Sequence, residues 1–145
     1  MDKDVYIKIK STQCIEGDEI PGAELTIRGE YHYEENKKYF IYEESEDSDL
    51  GRTITRFDLS PEEIILERRG EVRTKMIFRL YEETSFRYEM PYGMLSMTLT
   101  AQELEQDLDE HGGRIKIIYD LCMDEKRTMM SRNQFDIEIT DNISR

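Results

Sequence analysis

The sequence has no apolar run that approaches the roughly 20 residues needed by a membrane-spanning helix. Its first twenty residues, MDKDVYIKIKSTQCIEGDEI, alternate charged and apolar side chains and contain no continuous apolar stretch typical of a secretory signal. We therefore predict a cytoplasmic protein that has no membrane partner.

Cysteine and histidine are scarce. Cys14 and Cys122 are too few and too far apart to predict a disulfide framework, so we expect reduced thiols. His32 and His111 have no second histidine or cysteine at the spacing of metal ligands. The sequence therefore predicts neither a metal site nor a cofactor.

Sequence motifs of catalysis are also missing. There is no GxSxG, no glycine-rich phosphate loop, and no serine or cysteine with a histidine placed to activate it. Adjacent carboxylates such as Glu34 and Glu35 carry little information in a chain with 33 acidic residues. We predict that the protein is not an enzyme and has no catalytic residue.

The overall charge limits the choice of partners. The 145 residues carry a formal net charge of −13, which repels phosphate backbones and argues against a nucleic-acid partner. A chain of this length buries enough surface for one core, so we predict a single domain over residues 1–145.

Apolar residues recur at alternate positions along most of the chain, which is the period of a half-buried strand. Turn-forming segments separate these runs, as at Ser60-Pro61-Glu62 and Pro91-Tyr92-Gly93. About ten consecutive strands would leave exposed edges in a flat sheet, so the pattern predicts an antiparallel up-and-down meander closed into a barrel. The predicted strands are 5–13, 23–33, 39–42, 53–59, 64–69, 72–80, 85–90, 95–101, 115–123 and 135–139.

Two segments are less clear. Residues 100–112 fit a short capped helix, because Thr100 and Glu103 have the spacing of a capping box. They also fit a continued strand that needs fewer changes of direction, and we favour the strand. The acidic stretch Glu43–Asp49 is expected to be a solvated loop.

A family resemblance rests on the middle of the chain. Gly51-Arg52-Thr53, then Ile65-Leu66-Glu67-Arg68 with Gly70, precede the segment Tyr88-Glu89-Met90-Pro91-Tyr92-Gly93. A glycine-led strand over 113–121 and Asn133 before the last strand follow. This arrangement resembles the YwiB-like family of uncharacterised bacterial proteins. The resemblance implies a calycin-like (lipocalin-type) barrel of about 8–10 strands with a central cavity, and it implies no reaction.

Charge is unevenly distributed along the sequence. Residues 52–80 hold seven basic and five acidic residues, so this third of the chain is near +2 while the remainder is near −15. Arginines on adjacent strands can bind a carboxylate or phosphate bidentately. The alternative is that they pair with acidic neighbours and only solvate the barrel. The basic residues are Arg52, Arg56, Arg68, Arg69, Arg73, Lys75 and Arg79.

Together these patterns predict a binding module that holds a small amphipathic or anionic ligand in its lumen. Tyrosines at a barrel mouth offer an apolar wall and an orienting hydroxyl. The alternative is an interaction protein with a packed lumen, for which a homodimer is left open. The predicted ligand contacts are Arg56, Arg79, Arg87, Tyr88, Tyr92 and Gly93.

Overall fold

Ten β-strands make up the fold. The computed structural model describes residues 2–15, 17–44, 50–123 and 129–141, and no helix in this part of the chain is long and apolar enough to cross a membrane. The strands are β1 (Asp2–Ile15), β2 (Asp18–Glu34), β3 (Lys37–Glu43), β4 (Thr53–Leu59), β5 (Ile64–Gly70), β6 (Arg73–Phe78), β7 (Glu83–Met90), β8 (Gly93–Asp109), β9 (Gly112–Met123) and β10 (Met129–Thr140).

The strands close into a barrel. Each pairs with the next along the chain in antiparallel fashion, and β1 pairs with β10 to complete the ring. Closure satisfies the backbone groups that a flat sheet would expose at its edges. The predicted all-β up-and-down barrel is therefore confirmed.

Register decides which side chains enter the lumen. In β1, Val5, Ile7 and Ile9 are at most 6% exposed and alternate with exposed neighbours. Ile7 lies opposite Ile27 on β2 and Ile139 on β10, so apolar side chains meet on both sides of the closing strand. Directly opposite residues are the closest cross-strand neighbours, so these pairs stabilise the barrel where it closes.

Aromatic rings fill the middle of the lumen. Phe40 and Phe57 stack with 4.6 Å between ring centroids. Phe57 on β4 also meets the edge of Phe135 on β10 at 6.3 Å, which spans the interior. Phe78 and Tyr119 form a further edge contact at 5.0 Å. The centre of the barrel is therefore a packed core.

The two ends of the barrel differ. We call the end with the β5–β6 and β7–β8 turns the upper end, and the end with the β4–β5 and β8–β9 turns the lower end. At the lower end the Gln106 amide donates a hydrogen bond to the Ser60 carbonyl oxygen at 2.7 Å. The Tyr31 hydroxyl donates to the Asp109 carbonyl oxygen, also at 2.7 Å. These contacts tie the turn after β4 and the end of β8 to the barrel.

Two details can be compared with the sequence expectations. The favoured strand over 100–112 is confirmed, since β8 runs to Asp109 and a bulge between Ala101 and Glu103 brings Leu104 opposite Ile117. The prediction that β6 extends to Leu80 is wrong, because β6 ends at Phe78 and Leu80 is 45% exposed.

The turn into β9 generates a test of the fold. Gly113 has φ +143°, and an added Cβ would overlap the Asp107 carbonyl oxygen. We expect Gly113→Ala to lower the free energy of unfolding by about 1–3 kcal/mol, because the backbone would be strained. Urea denaturation measures the change. Gly93→Ala is the matched control, since no atom lies within 4 Å of its added Cβ, and equal losses in both variants would contradict the prediction.

Candidate functional site

A lateral row of inward-facing residues crosses six adjacent strands near the upper end, one residue from each of β3 to β8. Cross-strand pairing joins each member to the next. Consecutive members of one such row lie on the same face of a sheet and within reach of each other. We call it the polar row, and its members are Tyr42, Thr55, Arg68, Thr74, Tyr88 and Leu95.

Arg68 occupies the centre of this row because of its position in β5. Ile64 and Leu66 are fully buried, and Arg68 follows them on the same face of the strand. Its side chain is 13% exposed. Charged side chains are almost never buried unless they are paired, so the partners of Arg68 matter.

A hydrogen-bonded network surrounds one edge of the guanidinium group. The Thr55 hydroxyl donates to Glu44 Oε2 at 2.6 Å, and Arg68 Nε lies 3.4 Å from Thr55 Oγ1 and 4.0 Å from Glu44 Oε2. The Glu44 side chain is only 4% exposed. Glu44 was expected in a solvated loop; that expectation is wrong for this residue, whose carboxylate is held by Thr55. Residues 45–49 of the same stretch lie outside the described residues.

The other edge of the Arg68 guanidinium is open. Both contacts of the group involve Nε, and among the described residues neither terminal amino group has a hydrogen-bond partner. A guanidinium presents its two terminal amino groups in a fork that matches carboxylate and phosphate oxygens. The arrangement can therefore bind an anion.

Tyrosine hydroxyls stand near this charge and are protonated at neutral pH. Burial, followed by the charge of Glu44, raises the pKa of Tyr42. Burial raises the pKa of Tyr119 to about 12, while the positive charge of Arg68 acts in the opposite direction. Both residues are therefore neutral side chains that can donate hydrogen bonds.

The polar row lies where the lumen begins to open. Along the inward face of β9, Ile117 is 0% and Tyr119 7% exposed, while Leu121 and Met123 are partly exposed. Tyr88 and Leu95, directly opposite each other, are also partly or largely exposed. The upper end is thus a mouth above a packed core.

Most of the predicted ligand contacts lie elsewhere. Arg56, Arg79 and Arg87 each neighbour a buried phenylalanine in sequence and so face outward. Their predicted place in the lumen is therefore wrong, because strand alternation sends them to the opposite face. Tyr88 does face inward, in the polar row. Tyr92 is 86% exposed in the β7–β8 turn, and Gly93 begins β8 beside it.

The basic residues of 52–80 divide into groups. Arg56 pairs with Asp58 at 2.9 Å and lies over the Tyr39 ring at 3.9 Å, so it belongs to an outer surface cluster. Arg79 pairs with Glu63 at 2.7 Å. Arg68 enters the lumen, whereas Arg73 and Lys75 are exposed on the outer face.

The sequence placed Arg68 among seven basic residues but not among the predicted ligand contacts, and it placed Glu44 in a solvated loop. A signal for Arg68 was present, because it continues the Ile64 and Leu66 alternation into the lumen. Glu44 had no such signal, since it stands just beyond β3 and its burial depends on Thr55 of the next strand.

Metal-ligand geometry is a separate question. Among residues 2–15, 17–44, 50–123 and 129–141, no group of three histidine, cysteine or carboxylate side chains could hold a metal ion. Cys14 and Cys122 are both free thiols.

Comparison with known proteins identifies the family. Residues 7–137 match the family described as "Domain of unknown function (DUF1934)". The chain belongs to the DUF1934 family. It is 34% identical over 98 residues to the uncharacterized beta-barrel protein YwiB of Bacillus subtilis strain 168, an overlap of 68% of each chain. The crystal structure of the B. subtilis ywiB protein matches with a TM-score of 0.79 and 27% identity, covering 94% of this chain and 92% of that chain.

These matches confirm the predicted YwiB-like resemblance. The DUF1934 match spans the polar row from Tyr42 to Leu95, so the row lies within the domain that defines the family. The family is one of β-barrels of unknown function.

The Glu44 network generates a stability test. Thr55→Val removes the hydroxyl that donates to the buried carboxylate, and we expect a loss of about 1–3 kcal/mol in the free energy of unfolding, because the carboxylate loses a buried partner. Thr26→Val makes the same change at an exposed position of β2 and should be close to neutral. Urea denaturation of both variants measures this; a loss no larger in Thr55→Val than in Thr26→Val would contradict it.

A second prediction concerns the lower end. Asp141 lies 3.0 Å from His111 Nδ1 and 3.2 Å from Lys3 Nζ, and its hydrogen bond and charge raise the pKa of His111. The folded pKa lies above the unfolded one, so this stabilisation is complete below about pH 6.5 and is lost as the pH rises through the folded value. We expect Asp141→Asn to destabilise more at pH 5.5 than at pH 9. Urea unfolding at both pH values tests this, and an equal loss at both would contradict it.

Proposed function

We propose that this DUF1934 protein is a non-enzymatic binding module that holds a small amphipathic anion at the upper end of its lumen. The observation that carries the proposal is the open edge of Arg68, a guanidinium 13% exposed with two terminal amino groups that no described residue engages. Removing a cation from water is costly unless hydrogen bonds compensate. A bound anion would add charge-assisted hydrogen bonds at this open edge.

The head group of the ligand would meet Arg68. A carboxylate or phosphate bound bidentately forms charge-assisted hydrogen bonds, which are about twice as strong as neutral ones. Glu44 faces Nε, on the other edge of the guanidinium. Its carboxylate therefore orients the arginine and leaves the fork free for the ligand.

The apolar part of the ligand would lie at the mouth. Tyr88 and Leu95 form an apolar wall two and three strands along the polar row from Arg68, and Met123 offers a flexible surface on β9. Phe57 and Phe135 fill the lumen below. The ligand is therefore expected to be short, bound at the mouth with its apolar part toward solvent-accessible side chains.

The protonation of the tyrosines near Arg68 favours ligand binding over a reaction. Tyr42 and Tyr119 have raised pKa values, so at neutral pH they are hydrogen-bond donors and not general bases. The Thr55 hydroxyl already donates to Glu44. These assignments support a ligand held by donors, with no proton transfer.

Decanoate titration tests the proposal. Decanoate combines a carboxylate with a short apolar chain, and isothermal titration calorimetry measures its affinity for the protein directly. We expect Arg68→Met to weaken binding about tenfold or more, since one bidentate charged contact is lost. Arg69→Met is the matched control, because it removes the same charge from the next residue, whose side chain is 78% exposed on the outer face.

A folding control and a conservative variant complete the test. Amide NMR spectra establish that each variant is folded, and Arg68→Lys, which keeps the charge without the fork, is expected to bind with intermediate affinity. Equal weakening in the Arg68→Met and Arg69→Met variants, or no heat of binding with the wild type, would overturn a lumenal anion site.

The packed centre of the lumen favours a second candidate, an interaction protein that works through its outer face. Native mass spectrometry of protein purified from its own host cells distinguishes the two. An added small-molecule mass that is lost on denaturation supports the binding module. A bare monomer or homodimer supports the interaction protein.

A further inference from the structure

The outer face of β5, β6 and β7 carries a group of basic side chains that the lumenal site does not use. Arg69, Arg73, Lys75 and Arg87 are all exposed there. They line a surface groove of about 780 Å³, whose lining also includes Arg68 and, at its borders, Glu67 and Glu89. We call these four residues the basic face.

Register places carboxylates beside two of these cations. Glu67 pairs with Lys75 across β5 and β6, and Arg73 pairs with Glu89 across β6 and β7. Opposite charges at such cross-strand positions attract each other. The four cations still outnumber the two carboxylates that border them.

Among the described side chains, an ion pair engages only one of these four cations. Arg69 contacts Glu67 at 3.2 Å in an exposed pair, which contributes little. Among the side chains that the structure describes, Arg73, Lys75 and Arg87 have no ion-pair or hydrogen-bond partner. Three unpaired cations on one face contrast with a chain whose net charge is −13.

Backbone pairing between β6 and β7 is short beside the basic face. Only Arg73–Glu89 and Thr74–Tyr88 pair between β6 and β7. Beyond them, the Thr74 hydroxyl donates to the Arg87 carbonyl oxygen at 2.7 Å and the Thr84 hydroxyl donates to the Ile77 carbonyl oxygen at 2.6 Å. Side-chain hydrogen bonds thus replace part of the ladder, and the groove lies over this widened seam.

We propose that the basic face is a second anion site, which takes a short chain of linked phosphate groups. Opposite residues are about 5 Å apart across the strands, and same-face neighbours are about 7 Å apart along them. A ligand that contacts all four cations must therefore carry several negative charges within a short length. A short phosphate chain provides this density, and arginine forks match phosphate oxygens.

The surroundings limit the length of the ligand. Glu67 and Glu89 border the groove, and the rest of the molecule is acidic. A nucleic acid would extend past the basic face onto this negative surface and be repelled. The phosphate chain can come from a nucleotide or from an inorganic polyphosphate, since both present the same oxygens.

Titration with inorganic tripolyphosphate, followed by amide NMR, tests the site. We expect shifts in the amides of residues 69–75 and 85–89, and about tenfold or greater weakening in Lys75→Gln and in Arg87→Gln. Lys10→Gln is the matched control, because it removes one positive charge from an exposed position of β1 and should bind as the wild type does. Arg68 also lines the groove, but its side chain faces the lumen, so Arg68→Met should weaken tripolyphosphate binding less than Lys75→Gln or Arg87→Gln does.

Further titrations identify the source of the phosphate chain and can overturn the proposal. ATP binding as tightly as tripolyphosphate assigns recognition to the phosphate chain, and tighter ATP binding assigns the site to a nucleotide. Because the Arg87 side chain has no ion-pair partner among the described residues, the urea midpoint of Arg87→Gln should be no lower than that of the wild type. Equal weakening by Lys10→Gln, no binding of tripolyphosphate, or preferential binding of hexaglutamate would overturn the proposal.

Discussion

The pairing of β1 with β10 is the constraint on which the rest of the structure depends. It closes the sheet, and closure gives every strand two neighbours and one inward face. Because side chains alternate at every residue, a slip of one position would exchange the two faces of a strand. Ile7 between Ile27 and Ile139 holds the closing strand in register. Each lateral row of the lumen, polar or apolar, follows from that register.

One such row brings a charge into the interior. Phe40, Phe57 and Leu66 pack in the next inward row below the polar row. They give Arg68 an apolar, low-dielectric environment on that side. A buried ion pair rarely increases stability over apolar side chains of equal size. Glu44 and Thr55 reduce the cost of burying this charge, but they engage only one edge of it. The arrangement resembles a prepared binding group more than a structural bridge.

The outer surface also carries positive charges that acidic side chains do not fully pair. Several cations outside the barrel have acidic partners, such as Lys116 with Glu103 at 2.9 Å and Arg132 with Asp120 at 2.7 Å. The basic face departs from that pattern, because three of its four cations form no ion pair with a described side chain. Local unfavourable electrostatics within an otherwise complementary surface are typical of functional sites, where stability is given up for binding.

Alternation and turn chemistry were enough to predict the class of fold, the barrel and nearly all strands from the sequence. These depend on local patterns, in which a buried face needs an apolar residue at every second position. The strand over 100–112 was favoured because it needs fewer changes of direction. The bulge between Ala101 and Glu103, which brings Leu104 opposite Ile117, did not follow from alternation.

Only the tertiary structure decided which polar residues meet. Arg56 and Arg68 are equally basic in sequence, yet register sends one outward over Tyr39 and the other into the lumen. Glu44 is buried because Thr55, eleven residues away, approaches it across a strand pair. Such contacts depend on closure and register, which are properties of the whole chain. Local composition therefore determined the barrel, and long-range pairing determined its candidate site.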